Sequence, residues 1–316
     1  MITRALDRAA LLHVAVLALL FVLQFVLPDY HHVNLARVMV LASFAAGYNI
    51  VFGYAGMLSL GHAMFFGAGL YTAGLLAQYA GAGAAAGFTL AVVAGALFAA
   101  LVGLLALRTT GVSFMIVTLM FAQAAYLAIH YFGDYTRSDE GFVVPGATRR
   151  LFGLALIDPA TRYFAALALF AATVAVCYAV ARSAFGRVLA AIRETEERTR
   201  MLGYDVFGYK LAALALSGAV SAAAGAAYAM LFGYVGAGLA SIQYSIYPLL
   251  WVLMGGAATV LGPFLGTLAM FYLVDIASGF TSAYLLFVGL ALIALVLFFP
   301  KGVLGALRER ALPWLP

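Results

Sequence analysis

Apolar residues along this chain fall in long unbroken blocks and do not alternate with polar ones. Ten blocks stand out, near residues 9–27, 34–53, 57–78, 84–107, 111–132, 162–181, 210–232, 246–260, 263–278 and 284–299. Most run about 20 residues with little or no charge, the length needed to cross a hydrocarbon layer roughly 30 Å thick. Continuous runs rich in Ala, Leu and Val predict helices; a membrane β-barrel would need short alternating segments. The expected fold is therefore all-α, a polytopic transmembrane helical bundle of about 10 membrane segments (8–10). Gly and Pro interrupt the blocks at 57–78 and 246–278, so either region is a candidate re-entrant piece.

Composition agrees with the pattern. Of the 316 residues 66% are hydrophobic and 9% charged, with a mean hydropathy of +1.07. A soluble chain carries about 25% charged residues and has no core able to hide so much apolar surface. The 33 glycines suit close approach of membrane helices. The single cysteine, Cys177, offers neither a disulfide nor a metal cluster. The first apolar run is long and no small-residue cleavage site follows it, so a cleavable signal peptide is not expected.

Charge then orients the bundle. With ten spans and both termini inside, five basic residues face outward: Arg37, Arg137, Arg149, Arg150 and Arg162. The other twelve of the 17 lie on the cytoplasmic side, the asymmetry that the positive-inside rule demands. The net charge of +5 is explained by that orientation, and no nucleic-acid partner is expected. A weak internal echo links "GYAGMLSLGHA" from Gly53 with "GYVGAGLASIQ" from Gly233, after the second and seventh spans. It fits either chance or the inverted repeat common in transporters.

One stretch breaks the apolar pattern. "FGRVLAAIRETEERTRMLGYDVFGYK" (185–210) holds nine charged side chains, against 17 basic and 12 acidic residues in the whole chain. Within it, "TEERTRMLG" reads as a short capped helix. Thr195 is placed to accept a free backbone N–H at the N-terminus. Glu196 and Glu197 fall in the first turn and Arg198 and Arg200 in the last, each favourable to the helix dipole. Glu196 with Arg200, and Glu194 with Arg198, have acid-first spacing of four. Gly203 follows where a left-handed residue ends a helix. An ordinary orienting loop is one reading of this stretch. A docking surface is the other, favoured by the acids among the bases and by Met201 and Leu202, which a small helix leaves uncovered.

The same stretch resembles the cytoplasmic coupling region of inner-membrane permeases of the branched-chain amino acid ABC importer family, whose form is "FGR-x-L-x-A-I-R-E-x-E … LG … YKL". The likeness continues through "SGAVSAAAGAAYA" (217–229), "MGGAATVLGPFLG" (254–266) and "LFFPKGVLG" (297–305), and upstream through "YNIVFGYAGMLSLGHAMFFGAGLYTAGLL" (48–76). The family's outer-loop "TGG-x-x-G" is replaced by "TRSDEGF" (136–142), which bears on substrate identity. The resemblance implies a single transmembrane permease domain over 1–316, with a coupling region at 183–209. Arg193, Glu194, Thr195, Glu196, Glu197, Arg198, Arg200 and Gly203 would engage a separate ATPase. It further implies a second related permease subunit, two ABC ATPase subunits and a periplasmic substrate-binding protein, all in a bacterial inner membrane and its lipid. The chain lacks a Walker A loop, so ATP and Mg would be bound by the partner ATPases and the chain itself would not be an enzyme. Leucine, isoleucine or valine is the implied cargo, with urea, short amides or aromatic acids carried by relatives.

Polar residues inside spans are costly and often line a route. Asn49, Ser59 and His62 sit in "YNIVFGYAGMLSLGHA", where three glycines allow the backbone to unwind beside a substrate pathway. Packing, with His62 bonded to a neighbouring helix, is the competing account. Gln123, His130 and Asp275 are further polar positions. Asp275, the one acid inside a predicted span, lies near its outer end, where hydration explains it; an ion-coupled transporter would lean on that residue alone. Ser217, Ser221 and Gly225 recur every four residues as a helix-packing face.

Overall fold

Two helices carry the core. In the computed structural model, which describes residues 2–280, scattered positions between 283 and 297, and residues 302–310, α2 (Asp29–Asn49) and α10 (Val206–Phe232) are the most enclosed. Helix α2 runs on into a π-helical turn, Ile50–Tyr54. Around this pair stand α1 (Ile2–Val26), α3 (Ala63–Tyr79), α4 (Ala84–Ala106), α5 (Gly111–Tyr131) and α7 (Pro159–Arg182). Helices α11 (Ile242–Gly255), α12 (Gly262–Phe280) and α13 (Gly302–Arg310) close the far side. A one-turn α6 (Gly133–Thr136) begins the outer loop. On the other face, α8 (Ala184–Glu194) and α9 (Glu196–Met201) join α7 to α10.

Small residues set these contacts. A Cβ on Gly225 of α10 would lie 2.0 Å from the carbonyl oxygen of Phe66 on α3, and one on Gly69 would lie 2.0 Å from that of Ala222. No side chain fits between α3 and α10. Where water is absent, such packing replaces the hydrophobic effect as the force between helices. The expected face of Ser217, Ser221 and Gly225 is buried in this way against α2 and α3. By contrast α1 and α5 turn mostly exposed apolar surface outward, as lipid-facing helices do.

Seven helices among the described residues are long and apolar enough to cross a membrane: Arg8–Val26, Asp29–Tyr54, Ala84–Ala106, Gly111–Tyr131, Pro159–Arg182, Val206–Phe232 and Gly262–Phe280. The expected segments at 57–78 and 246–260 become α3, of 17 residues, and α11, of 14. At 1.5 Å per residue these reach roughly 25 Å and 21 Å, short of a full crossing. Six residues of the first segment, 57–62, go into irregular backbone before α3 begins. The expected segment at 284–299 lies outside the described residues, apart from isolated positions.

Outside the helices, β1 (Phe142–Val143) pairs antiparallel with β4 (Tyr234–Val235), and β2 (Arg150–Leu151) with β3 (Leu154–Ala155). These tie the long outer loop to the end of α10. Arg149 completes the tie: its Nε and Nη2 donate to the carbonyls of Met230 and Leu231, both at 2.7 Å. Those carbonyls belong to the last turn of α10, where helix geometry supplies no partner.

Both stretches of the internal echo behave alike. Each follows a long buried helix, breaks into irregular backbone, and re-enters as a shorter helix, α3 in one case and α11 in the other. The two short helices meet where Ser245 Oγ accepts the backbone N–H of Ala63 at 3.0 Å.

Candidate coupling surface and broken-helix segment

The charged stretch folds as two helices because Thr195 adopts an extended conformation between them. Ser183 starts α8, its hydroxyl accepting the Gly186 N–H at 3.0 Å. Val188, Leu189 and Ile192 form the buried side of α8. After Thr195 the chain turns one short helix, ends at Leu202, and passes through Gly203 with φ +87°. That left-handed value is the one expected for Gly203, and it strains any residue with a Cβ. Asp205 then caps α10 by accepting the Gly208 N–H at 3.2 Å.

Ion pairing follows the expected scheme at one end only. Glu196 Oε1 pairs with Arg200 at 3.0 Å, four residues on, while its other oxygen pairs with Lys210 of α10. Glu194 pairs with its neighbour Arg193 at 3.0 Å, not with Arg198. The reason is the break at Thr195, which puts Glu194 and Arg198 on different helices. Thr195 also differs from expectation: it occupies the N-cap position, yet its side chain makes no capping bond. Its carbonyl instead accepts the Thr199 hydroxyl at 3.0 Å.

Glu197 and Arg198 are exposed and form no ion pair among the described residues. Beside them Met201 is 85% exposed and Leu202 71%. A rigid helix thus presents an uncovered apolar tip inside a rim of both charges, the anatomy of a docking surface.

Residues Ala55–His62 leave helical geometry between the π-turn and α3. All three polar residues singled out there are buried. Asn49 reaches across to the loop between α11 and α12: its Nδ2 donates to the Thr259 carbonyl at 2.9 Å, and its Oδ1 accepts the Ala258 N–H at 3.0 Å. His62 Nε2 lies 2.7 Å from Ser217 Oγ, and that hydroxyl donates to the Gly47 carbonyl at 2.5 Å. Three helices meet at this relay. Ser59 Oγ accepts from the Gly61 N–H at 3.4 Å, and Thr118 of α5 accepts the Leu60 N–H at 3.2 Å. The unwound backbone is therefore supported from α5, α10, α11 and the 256–261 loop together.

The two regions treated separately in the sequence are neighbours in space. Arg193 Nη1 donates to the Gly53 carbonyl at 2.7 Å. A cavity of about 460 Å³ opens between them, bordered by Gly56, Met57, Thr110, Arg193, Glu196 and Lys210. Lys210 lay within the charged stretch, but nothing in its spacing linked it to Glu196. Thr118, Ser217, Ser245 and Thr259 had no local signal that would pair them with residues 47–63.

Two of the remaining polar positions, His130 and Asp275, are tied down. His130 Nε2 stands 2.9 Å from Asp139 of the outer loop. Asp275 accepts the Tyr30 hydroxyl at 2.6 Å, fastening α12 to the start of α2. Among the described residues no group of three or more His, Cys, Asp or Glu is placed to hold a metal ion.

A family model, described as "Branched-chain amino acid transport system / permease component", matches residues 33–298. The chain belongs to this family. It is 27% identical to the high-affinity branched-chain amino acid transport system permease protein LivM of Salmonella typhimurium over 86% of this chain and 69% of that protein. The Escherichia coli LivM shows the same identity and coverage. A probable LivM of Methanocaldococcus jannaschii is 32% identical over 27% of this chain and 25% of its own length. No solved structure matches. The permease is thus a multi-pass membrane protein whose matched region includes the charged helices, the broken segment, most of α2 and all of α3 to α12.

Proposed function

We propose that this permease is the membrane subunit of an ATP-driven importer in a bacterial inner membrane, with both termini cytoplasmic. Its cargo is branched-chain amino acids, the solutes named for its LivM relatives. One observation carries the reading: a short, ion-paired helix holds bare Met201 and Leu202 out from the bundle between two spans. A permease that supplies no nucleotide site of its own needs such a surface for a motor.

In this reading Glu197 and Arg198 form the charged rim of the contact, with Glu194 and Arg200 beside them. Glu196 fastens α9 to α10 through Lys210, while Thr195 and Gly203 set where the helix starts and stops. Two ATPase subunits, which bind the ATP and Mg, grip this tip. A second related permease completes the membrane pore, and a periplasmic binding protein delivers substrate. The segment from Asn49 through Ser59 to His62 borders the pathway, because unwound backbone at membrane depth offers polar groups that an intact helix hides.

Reconstitution of the permease with its partner subunits in proteoliposomes, followed by uptake of labelled leucine and labelled urea, tests the assignment. ATP-dependent leucine accumulation that needs the ATPases is the expected result. Urea uptake in its place would move the cargo to the amide-carrying relatives. Uptake of either solute without ATPase subunits would sink the ATP-driven mechanism.

A further inference from the structure

Within the 183–209 region Glu196 reaches Lys210 of α10 and Asp205 caps α10, whereas the Arg193 guanidinium turns to the π-helical turn Ile50–Tyr54. Nη1 donates to the Gly53 carbonyl at 2.7 Å, and Nη2 is held by Glu194 at 3.0 Å. The aliphatic stem lies against Gly56, where a Cβ would come within 2.6 Å of Arg193 Cγ. Gly56 has φ +70° and no side chain to spare, so the stem and the turn fit only as they are.

The acceptor is an unusual carbonyl. Gly53 lies in the π-helical turn Ile50–Tyr54, whose closing bonds run from Ala55 N to Ile50 O and from Met57 N to Val51 O. The last carbonyls of any helix lack an intrahelical partner, and Arg193 supplies one here. A π-turn also holds one residue more than an α-turn, an irregularity frequent at functional sites within helices. Gly53 is pressed on its other side as well: a Cβ there would lie 2.5 Å from the Ala258 N and 2.0 Å from Asn49 Oδ1. Asn49 in turn holds Ala258 and Thr259. A continuous path runs from the end of α8 through Arg193, the π-turn and Asn49 to the loop between α11 and α12.

We propose that Arg193 is a strut: it couples displacement of the α8–α9 element to the π-turn and hence to the broken segment 55–62, and does not contact the motor itself. The proposal rests on the ATP-driven reading above. In place of the ATPase contact that the family resemblance implies for Arg193, it assigns a positioning role, distinct from the docking role of Met201, Leu202 and Glu197. The cavity between Gly56, Thr110, Glu196 and Lys210 lies beside Arg193.

The test uses the full assembly of permeases, ATPases and binding protein in proteoliposomes, with Arg193→Ala, Arg193→Gln and Arg193→Lys. Three quantities are read: ATPase subunits retained on purification, ATP hydrolysed, and solute accumulated per ATP. For Arg193→Ala and Arg193→Gln, retention and hydrolysis stay within about twofold of the parent, while solute per ATP falls about tenfold, a magnitude typical of site–site coupling. Arg193→Lys, which keeps a donor on a long stem, recovers part of the loss. The Gln of Arg193→Gln stays polar but loses the charge and the reach of the parent, so the three variants together separate misfolding from uncoupling. Loss of ATPase subunits from the Arg193 variants would make the residue a docking contact and overturn the strut, as would an unchanged ratio of solute to ATP. A parent assembly that accumulates solute with no ATPase present would instead fail the underlying reading.

Discussion

Asn49 displays in one side chain what a polar residue does at membrane depth. Both halves of its amide are used on backbone atoms of the 258–259 loop, more than 200 residues away in sequence. Interhelical hydrogen bonds in membranes are often worth less than 1 kcal/mol, because an unpacked helix finds other partners. Here the partners are an N–H and a carbonyl in irregular backbone, with no helical bond to fall back on. The larger cost of leaving buried groups unpaired therefore applies. Asn49→Ala is expected to lower stability by about 2 kcal/mol, read as a reduced unfolding temperature in detergent. Stability equal to the parent would mean that the loop finds other partners and that Asn49 does not hold it. The presence of Asn49, Ser59 and His62 in an apolar stretch was legible in the sequence; their partners were not. A hydrogen bond from Asn49 to Thr259 or from His62 to Ser217 depends on how helices stack, and local spacing carries no such information.

At the level of elements, the sequence located ends better than shapes. The expected spans at 84–107 and 111–132 match α4 (Ala84–Ala106) and α5 (Gly111–Tyr131), because Gly and polar residues punctuate both. The π-turn left no comparable mark, whereas the short block at 246–260, interrupted by Gly and Pro, already points to a brief α11, although Pro248 sits inside that helix without ending it. For α9 the capping logic foresaw the left-handed Gly203 and the Glu196–Arg200 pair. It placed Thr195 correctly at the N-cap but missed that its side chain makes no capping bond. The exposed tip gives a sharp expectation. Met201 and Leu202 touch little of their own chain, and exposed substitutions usually stay within about 0.5 kcal/mol. Met201→Glu with Leu202→Ser should therefore leave the unfolding temperature unchanged while ATPase subunits are lost on co-purification. Retention of the ATPases by that variant would remove α9 from the interface.

For the molecule as a whole, orientation follows from α7. This helix of 24 residues separates the outer-loop hairpin around Phe152 from the charged helices around Glu197. At 1.5 Å per residue it spans roughly 36 Å, enough to cross the bilayer, so the two sites must lie on opposite sides. Which side is which rests on charge. Arg182, Arg187, Arg193, Arg198, Arg200 and Lys210 all fall near α8 and α9, whereas Arg149 and Arg150 share their loop with Asp134, Asp139, Glu140 and Asp158. Basic residues near span ends favour the cytoplasm, so the proposed importer reading puts α9 on the inner side. The protein suits a direct check, because its single cysteine, Cys177, is buried. Phe152 is 93% exposed and Glu197 is exposed too. A membrane-impermeant maleimide added to intact cells should label Phe152→Cys at once and Glu197→Cys only after the membrane is opened. The reverse pattern would put the docking tip outside, beyond reach of any cytoplasmic ATPase, and the importer reading would go with it.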